Sequence, residues 1–177
     1  MRAITALLVS IAALPGVSAA QGYPPSQRAS VVQNVALTKV EITYGRPVAR
    51  GRALFGQLVP WDSIWHPGAD SATRISFDHD VMVEGKPLKA GAYSLWLIPR
   101  EGQPWTIIFS RASQVFHRPY PGVGEDALRV DVTPVTASHV ESMAIEFPMV
   151  LRDDAVMRIH WGTVAAPIRI KAPFKPI

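Results

Sequence analysis

Between Gly45 and Thr73 the chain reads GRPVARGRALFGQLVPWDSIWHPGADSAT, and the residues in it that can do chemistry are Arg46, Arg50, Arg52, Trp61, Trp65, His66 and Asp70. Guanidinium groups grip carboxylates and phosphates through paired N–H donors, indoles offer flat apolar faces with one polar edge, and imidazole and carboxylate exchange protons. Aromatic walls with a few fixed polar groups are the parts of a site for a small ligand or a glycan. The stretch shows neither strand alternation nor an amphipathic stripe, beyond one helical turn expected around Asp62 to Trp65. Long irregular segments are uncommon in compact domains and are often functional, because a rigid frame can aim their side chains. A purely structural role uses the same residues. Phe55, Leu58, Trp61 and Trp65 would plug one end of a core, while Arg46 and Arg52 donate to backbone carbonyls. Both readings stay open at this point.

Other chemistry finds less support. Nucleophilic catalysis needs a hydroxyl or thiol beside an oriented base; the chain has no cysteine and no G-x-S-x-G string. The five histidines, His66, His79, His117, His139 and His160, are widely separated, and none forms H-x-H or H-E-x-x-H. No metal and no cofactor is therefore assigned. His79 lies between Asp78 and Asp80 and reads as a solvated turn, and His160, beside Trp161 on an alternating stretch, as half-exposed or satisfied by a neighbour. Asp62 and Asp70 flank Trp65 and would suit a pair of glycosidase carboxylates, whereas Glu125-Asp126 and Asp153-Asp154 read as ordinary turns. No catalytic residue is assigned.

The elements that must hold the loop are strands. KVEITYG places Val40, Ile42 and Tyr44 on one face and Lys39, Glu41 and Thr43 on the other, the two-residue period of a half-buried strand. VVQNVAL precedes it, joined near Leu37-Thr38. Beyond His66 come TRISF, VMVEG, PLKAGAYSLWLIP, PWTIIFS, ALRVDVTPV, HVESMAIEF, VMRIHWGTV and PIRI, punctuated by Gly, Pro and Asp. Glu84-Gly85-Lys86-Pro87 predicts a tight turn, and Ala90-Gly91 a bulge or turn. YSLWLIP and WTIIF are apolar enough to be central, with Trp96 and Trp105 in the core. The expectation is an all-β, single-domain antiparallel sandwich, or a partly open barrel, of about eight to ten short strands with one long irregular loop.

The ends suggest export. Met1-Arg2, an apolar run over residues 3–14 and the small residues Val17-Ser18-Ala19-Ala20 form the pattern of a signal peptide cut after Ala20, or after Ala19. The expected order is a signal peptide over 1–20, a flexible leader over 21–29, the β domain over 30–171 and a tail over 172–177. Without cysteine there is no lipid-anchored thiol and no disulfide, so the core alone must hold the fold. No later apolar run approaches a membrane span, so no stable membrane insertion is expected once the leader is removed. A formal net charge of +4, spread along the chain, is too weak a basic signal for nucleic acid.

The ordered strings RPVARGRALFGQLVPWDSIWHPGADSAT, VEGKPLKAGAYSLWLIP and WTIIF resemble domain-of-unknown-function family 2911, over about residues 30–170. The resemblance implies an exported bacterial all-β domain and no particular reaction. It also implies a pattern in which Tyr commonly stands at the place of Trp61, Arg at His66 and Asn at Asp70. An arginine there would clamp an anion through two parallel bonds, which His66 cannot do. The favoured reading is a binding module for a small molecule, glycan or envelope component through the 45–73 loop. An envelope hydrolase or metal-dependent enzyme, and a structural or assembly partner, are the alternatives.

Overall fold

A computed structural model describes residues 26–173. The expected signal peptide, residues 21–25 of the leader and residues 174–177 of the tail lie outside these described residues. Among these described residues ten strands form two antiparallel sheets that face each other as a sandwich, not a closed barrel. In the first, β1 (Gln27–Val35), β2 (Thr38–Arg46), β3 (Arg74–Phe77), β6 (Gly91–Ile98), β7 (Trp105–Ser110) and β8 (Asp126–Val132) lie side by side in that order. In the second the order is β5 (Lys86–Leu88), β4 (Val81–Val83), β10 (Asp154–Lys171) and β9 (Val135–Val150).

The local reasons are those of the alternation. Along β2, Val40, Ile42 and Tyr44 are buried while Lys39 is exposed, so one face meets the opposite sheet and the other meets water. Glu84 and Gly85 both take positive φ, 47° and 75°, the two-residue turn whose twist suits the β4–β5 hairpin. Strands β6 and β7 hold central places and are buried on both faces. Leu95, Leu97, Ile107 and Phe109 point into the main core between the sheets. Trp96 and Ile108 point the other way, into a small cluster with Ala72 that Val115 and Tyr120 cover. A second irregular segment, 111–125, therefore lies over the outer face of the first sheet. Each large side chain fully withdrawn from water stabilises the fold by roughly 2 kcal/mol, and both sheets contribute such residues.

Several boundaries move. β1 begins at Gln27 and pairs Gln27 with Arg46, so residues 27–29, expected in the leader, belong to the sheet. Ala172 is buried and its amide donates to the Asp153 carbonyl at 2.9 Å, so the fold runs one residue into the expected tail. VMRIHWGTV and PIRI, read as two short strands, are one strand of 18 residues, β10. It stays continuous through Pro167, which lies between the part that pairs with β9 and the part that pairs with β4. No helical turn forms at Asp62 to Trp65. Asp62 takes φ 58° and its amide donates to the Pro99 carbonyl, while Trp65 pairs with Leu97, so the backbone there is committed to β6.

The start of the long loop also guards the free side of β9. The Ala49 amide donates to the Glu141 carbonyl at 2.8 Å and the Met143 amide to Pro47 at 2.9 Å. Just beyond, the Ile145 amide donates to the Tyr44 hydroxyl at 2.9 Å. An otherwise open strand edge is thereby occupied.

Candidate ligand cleft

The loop between β2 and β3 does two jobs with alternate side chains. Its Trp65 exchanges both backbone bonds with Leu97, each at 2.8 Å, so the chain runs extended beside β6 and successive residues face opposite ways. Trp65 turns inward. Its ring stacks on Trp161 with centroids 6.0 Å apart and meets the edge of Phe55 at 5.9 Å. Phe55 in turn lies 4.7 Å from Trp105 and 6.3 Å from Trp61. This aromatic set packs against the main core and is the plug expected of the loop, although Leu58 stays exposed at 43%.

His66 turns outward, onto the Trp96 ring at 6.0 Å and parallel to the His117 ring at 5.9 Å. Here a cleft of about 500 Å³ opens. From the loop it is lined by Arg50, Arg52, Trp65, His66, Gly68 and Asp70. From the 111–125 segment come His117, Arg118 and Tyr120, and the sheets add Trp96 and Trp161.

Each polar group has a definite situation. His66 is only 6% exposed, and its Nε2 has no hydrogen-bond partner. Burial pushes its pKa down to about 4, helped by the neighbouring His117, while a hydrogen bond to the Ser71 backbone pulls the other way; the ring is neutral near pH 7. His117 Nδ1 lies 3.0 Å from the Asp70 carbonyl oxygen. A carbonyl can only accept, so Nδ1 donates and fixes the ring's orientation. Tyr120 donates to Asp126, which also holds Arg129. Burial, and then that bond to Asp126, raise the Tyr120 pKa, so the phenol stays a donor.

The arginines divide. Arg46 Nε donates to the Met143 carbonyl at 2.9 Å, and its side chain serves the β2–β9 contact, outside the cleft. Arg52 ties down the loop, with Nε 2.9 Å from the Ala49 oxygen and Nη2 2.6 Å from that of Val48, yet it remains exposed on the cleft wall. The Arg50 amide donates to Glu141 Oε1 at 2.6 Å. That bond, then His139, holds the Glu141 carboxyl below its usual range, and Arg52 adds to the effect.

Of the seven residues singled out from sequence, Arg50, Arg52, Trp65, His66 and Asp70 meet at this cleft, and Arg46 and Trp61 do not. Trp61 lines separate hollows, one of about 360 Å³ with Arg100 and Trp105. Asp62 sits 3.8 Å from Arg100 Nε, away from the cleft histidines. His117, Arg118, Tyr120 and Trp161 were missed. The signal for the first three was the string RASQVFHRPYPGVGE after WTIIFS, a second run without alternation that carries His, Arg and Tyr. His160 is buried, with Nε2 2.9 Å from the Ser138 carbonyl oxygen, so its neighbour-satisfied reading holds. Among the described residues no three His, Asp or Glu groups converge as metal ligands would.

Residues 26–170 match the family described as protein of unknown function DUF2911. No curated protein and no solved structure matches the chain.

Proposed function

We propose that this chain, which belongs to the DUF2911 family, is an exported binding domain that takes one small ligand in the cleft between the 47–73 loop and the 111–125 segment. The observation that carries this reading is convergence. Two irregular segments far apart in sequence deliver Arg50, Arg52, His66, Asp70, His117 and Arg118 to one hollow while the sheets hold the frame. Closing the fold requires only the aromatic plug. It gives no reason to bury an imidazole nitrogen without a partner, which costs about 1–3 kcal/mol, nor to line a hollow with cations.

Export is supported by the pattern of residues 1–20 alone. Among the described residues no helix is long and apolar enough to cross a membrane. Intact mass of the protein recovered from its native host should begin at Gln21 or Ala20; a chain starting at Met1 contradicts export by cleavage.

Crystals soaked with a library of small carboxylic acids, amines, neutral sugars and aromatic fragments test the binding site. Density should collect against Trp65, His66 and His117. Fragments that gather at other hollows and leave this one empty would overturn the proposal.

A further inference from the structure

The outer face of the first sheet carries a second polar hollow, separate from the cleft. Strand alternation turns Arg28 on β1, Thr43 on β2 and Arg74 on β3 away from the main core, and Thr43 stands directly opposite Arg74 in the ladder. The 111–125 segment lies over this face. It is tied there by the Ala72 amide, which donates to the Val115 carbonyl at 3.0 Å, and by the bridge between Ser71 and Phe116. Between sheet and segment lies a hollow of about 460 Å³ whose polar residues are Arg28, Thr43, Ser71, Arg74, Ser113 and Gln114. No Asp or Glu lines it.

The charge in this hollow is unanswered. Arg74 is half-buried, and its Nε is withdrawn from water without a hydrogen-bond partner. A guanidinium cannot shed its proton to escape that position, as an imidazole or an amine can. Its two terminal nitrogens are not cut off in the same way, and they remain free to donate into the hollow. Among the described residues no hydrogen bond or ion pair holds the guanidinium of Arg28 or Arg74, or the side chain of Thr43, Ser71, Ser113 or Gln114. The carboxylates closest along the chain are engaged elsewhere. Glu41 pairs with Lys39 at 3.5 Å, and Asp70 lines the cleft. A permanent charge half out of water calls for a counter-charge, and two cations on one hollow repel each other until an anion stands between them. Strands β1 and β3 lie about 10 Å apart across β2, a gap that two arginine side chains narrow to the width of one small anion.

We propose that this hollow binds a tetrahedral oxyanion, a phosphate or sulfate group, between the guanidinium groups of Arg28 and Arg74, with the hydroxyls of Thr43, Ser71 and Ser113 and the Gln114 amide completing its shell. The donors reach from the sheet on one side and from residues 113–114 on the other. A phosphate or sulfate spreads its oxygens in three dimensions to meet them, whereas those of a carboxylate lie in one plane. The site shares no lining residue with the cleft, so it stands or falls apart from the binding reading above. A free ion and an ester-borne group offer the same oxygens, and the test separates them.

NMR titration of the folded protein at constant ionic strength, with chloride as the balancing anion, compares inorganic phosphate, sulfate, glycerol 3-phosphate and acetate. Saturable shifts should appear at the Arg74 Nε–H and at the Thr43 and Ser113 amides, and at least one tetrahedral anion should bind about tenfold or more tightly than acetate. The strongest binder names the source: a free ion where phosphate or sulfate leads, an ester where glycerol 3-phosphate does. Arg28 is exposed on an edge strand, so Arg28→Gln leaves the core intact. That variant, its fold checked by circular dichroism, should bind the leading anion about tenfold or more weakly, and Arg74→Gln should do the same. Should Arg74→Gln fail to fold, Arg28→Gln and the unaltered protein decide the matter. Acetate binding as tightly as the tetrahedral anions, unchanged affinity in Arg28→Gln, or shifts that gather at Arg50, Arg52 and Arg118 while Thr43 and Ser113 stay still would each overturn the proposal. So would the absence of any saturable shift.

Discussion

His66 is the residue on which sequence and environment most disagree. As one of five scattered histidines it carries no distinguishing string, and its neighbours in the chain, Trp65 and Pro67, say nothing of an unpaired nitrogen. What sets its chemistry is burial between Trp96 and His117, which reach it from other elements. With the folded pKa near 4 and the ordinary imidazole value at 6.5, the unfolded chain binds a proton that the native state refuses. Stability from this group is full above about pH 6.5 and is lost as pH falls towards 4, by on the order of 3 kcal/mol. Urea unfolding at pH 7 and pH 4.5 should show that loss in the unaltered protein and a markedly smaller one in His66→Phe. Equal losses in the two would show that paired carboxylates such as Asp154, held low by Arg169, dominate the acid limb instead. At the same scale, Arg46 and Arg52 illustrate why a list of arginines does not make a site. Both donate to backbone carbonyls, and only the course of the backbone decides that Arg52 also reaches the cleft.

For the elements, alternation in KVEITYG and the apolar runs YSLWLIP and WTIIF gave β2, β6 and β7 directly, since a strand with one or both faces buried writes its period into the sequence. Strands β9 and β10 were not legible as long strands. Their prolines read as punctuation, yet Pro148 lies on an edge strand and Pro167 lies between the parts of β10 that pair with β9 and with β4, where a missing N–H costs no ladder bond. The long loop was legible as irregular and aromatic, but not as serving packing and cleft at once. Replacing Phe55 by Ala should remove its contacts with Trp61, Trp65 and Trp105 and destabilise the fold by about 2–3 kcal/mol. Chemical denaturation would measure it, and a change under about 0.5 kcal/mol would mean that the plug does not hold the loop. Gly162→Ala should be costly for a different reason. Its φ is +59° and the new methyl would stand 2.8 Å from Leu54 Cδ1, so a lowered midpoint should come with increased exchange of the loop amides.

At the scale of the whole molecule, the sandwich buries both faces of β6 and β7, two interior strands of the larger sheet, and places the polar groups of the cleft on irregular segments at the periphery. Hydrogen exchange should therefore rank amides of β6 and β7 slowest, near the global unfolding limit, with residues 50–53 and 111–119 among the fastest. Fast exchange in β7 with protection in the loop would contradict that division. The fold class was readable because it depends on patterns local to each strand, and the family because its strings, the long loop among them, stand in order along the chain. The cleft was half readable because its second wall comes from a segment about fifty residues further along. If the two irregular segments form one ligand site, amide and indole NMR during titration with the small acids, amines, sugars and aromatic fragments used for soaking will report it. At least one of them should give saturable shifts at Trp65, His66, Gly68, Asp70 and His117, with the Trp105 indole unmoved. Shifts confined to the surface around Trp61 and Arg100, or none under conditions in which the protein is folded, would contradict it.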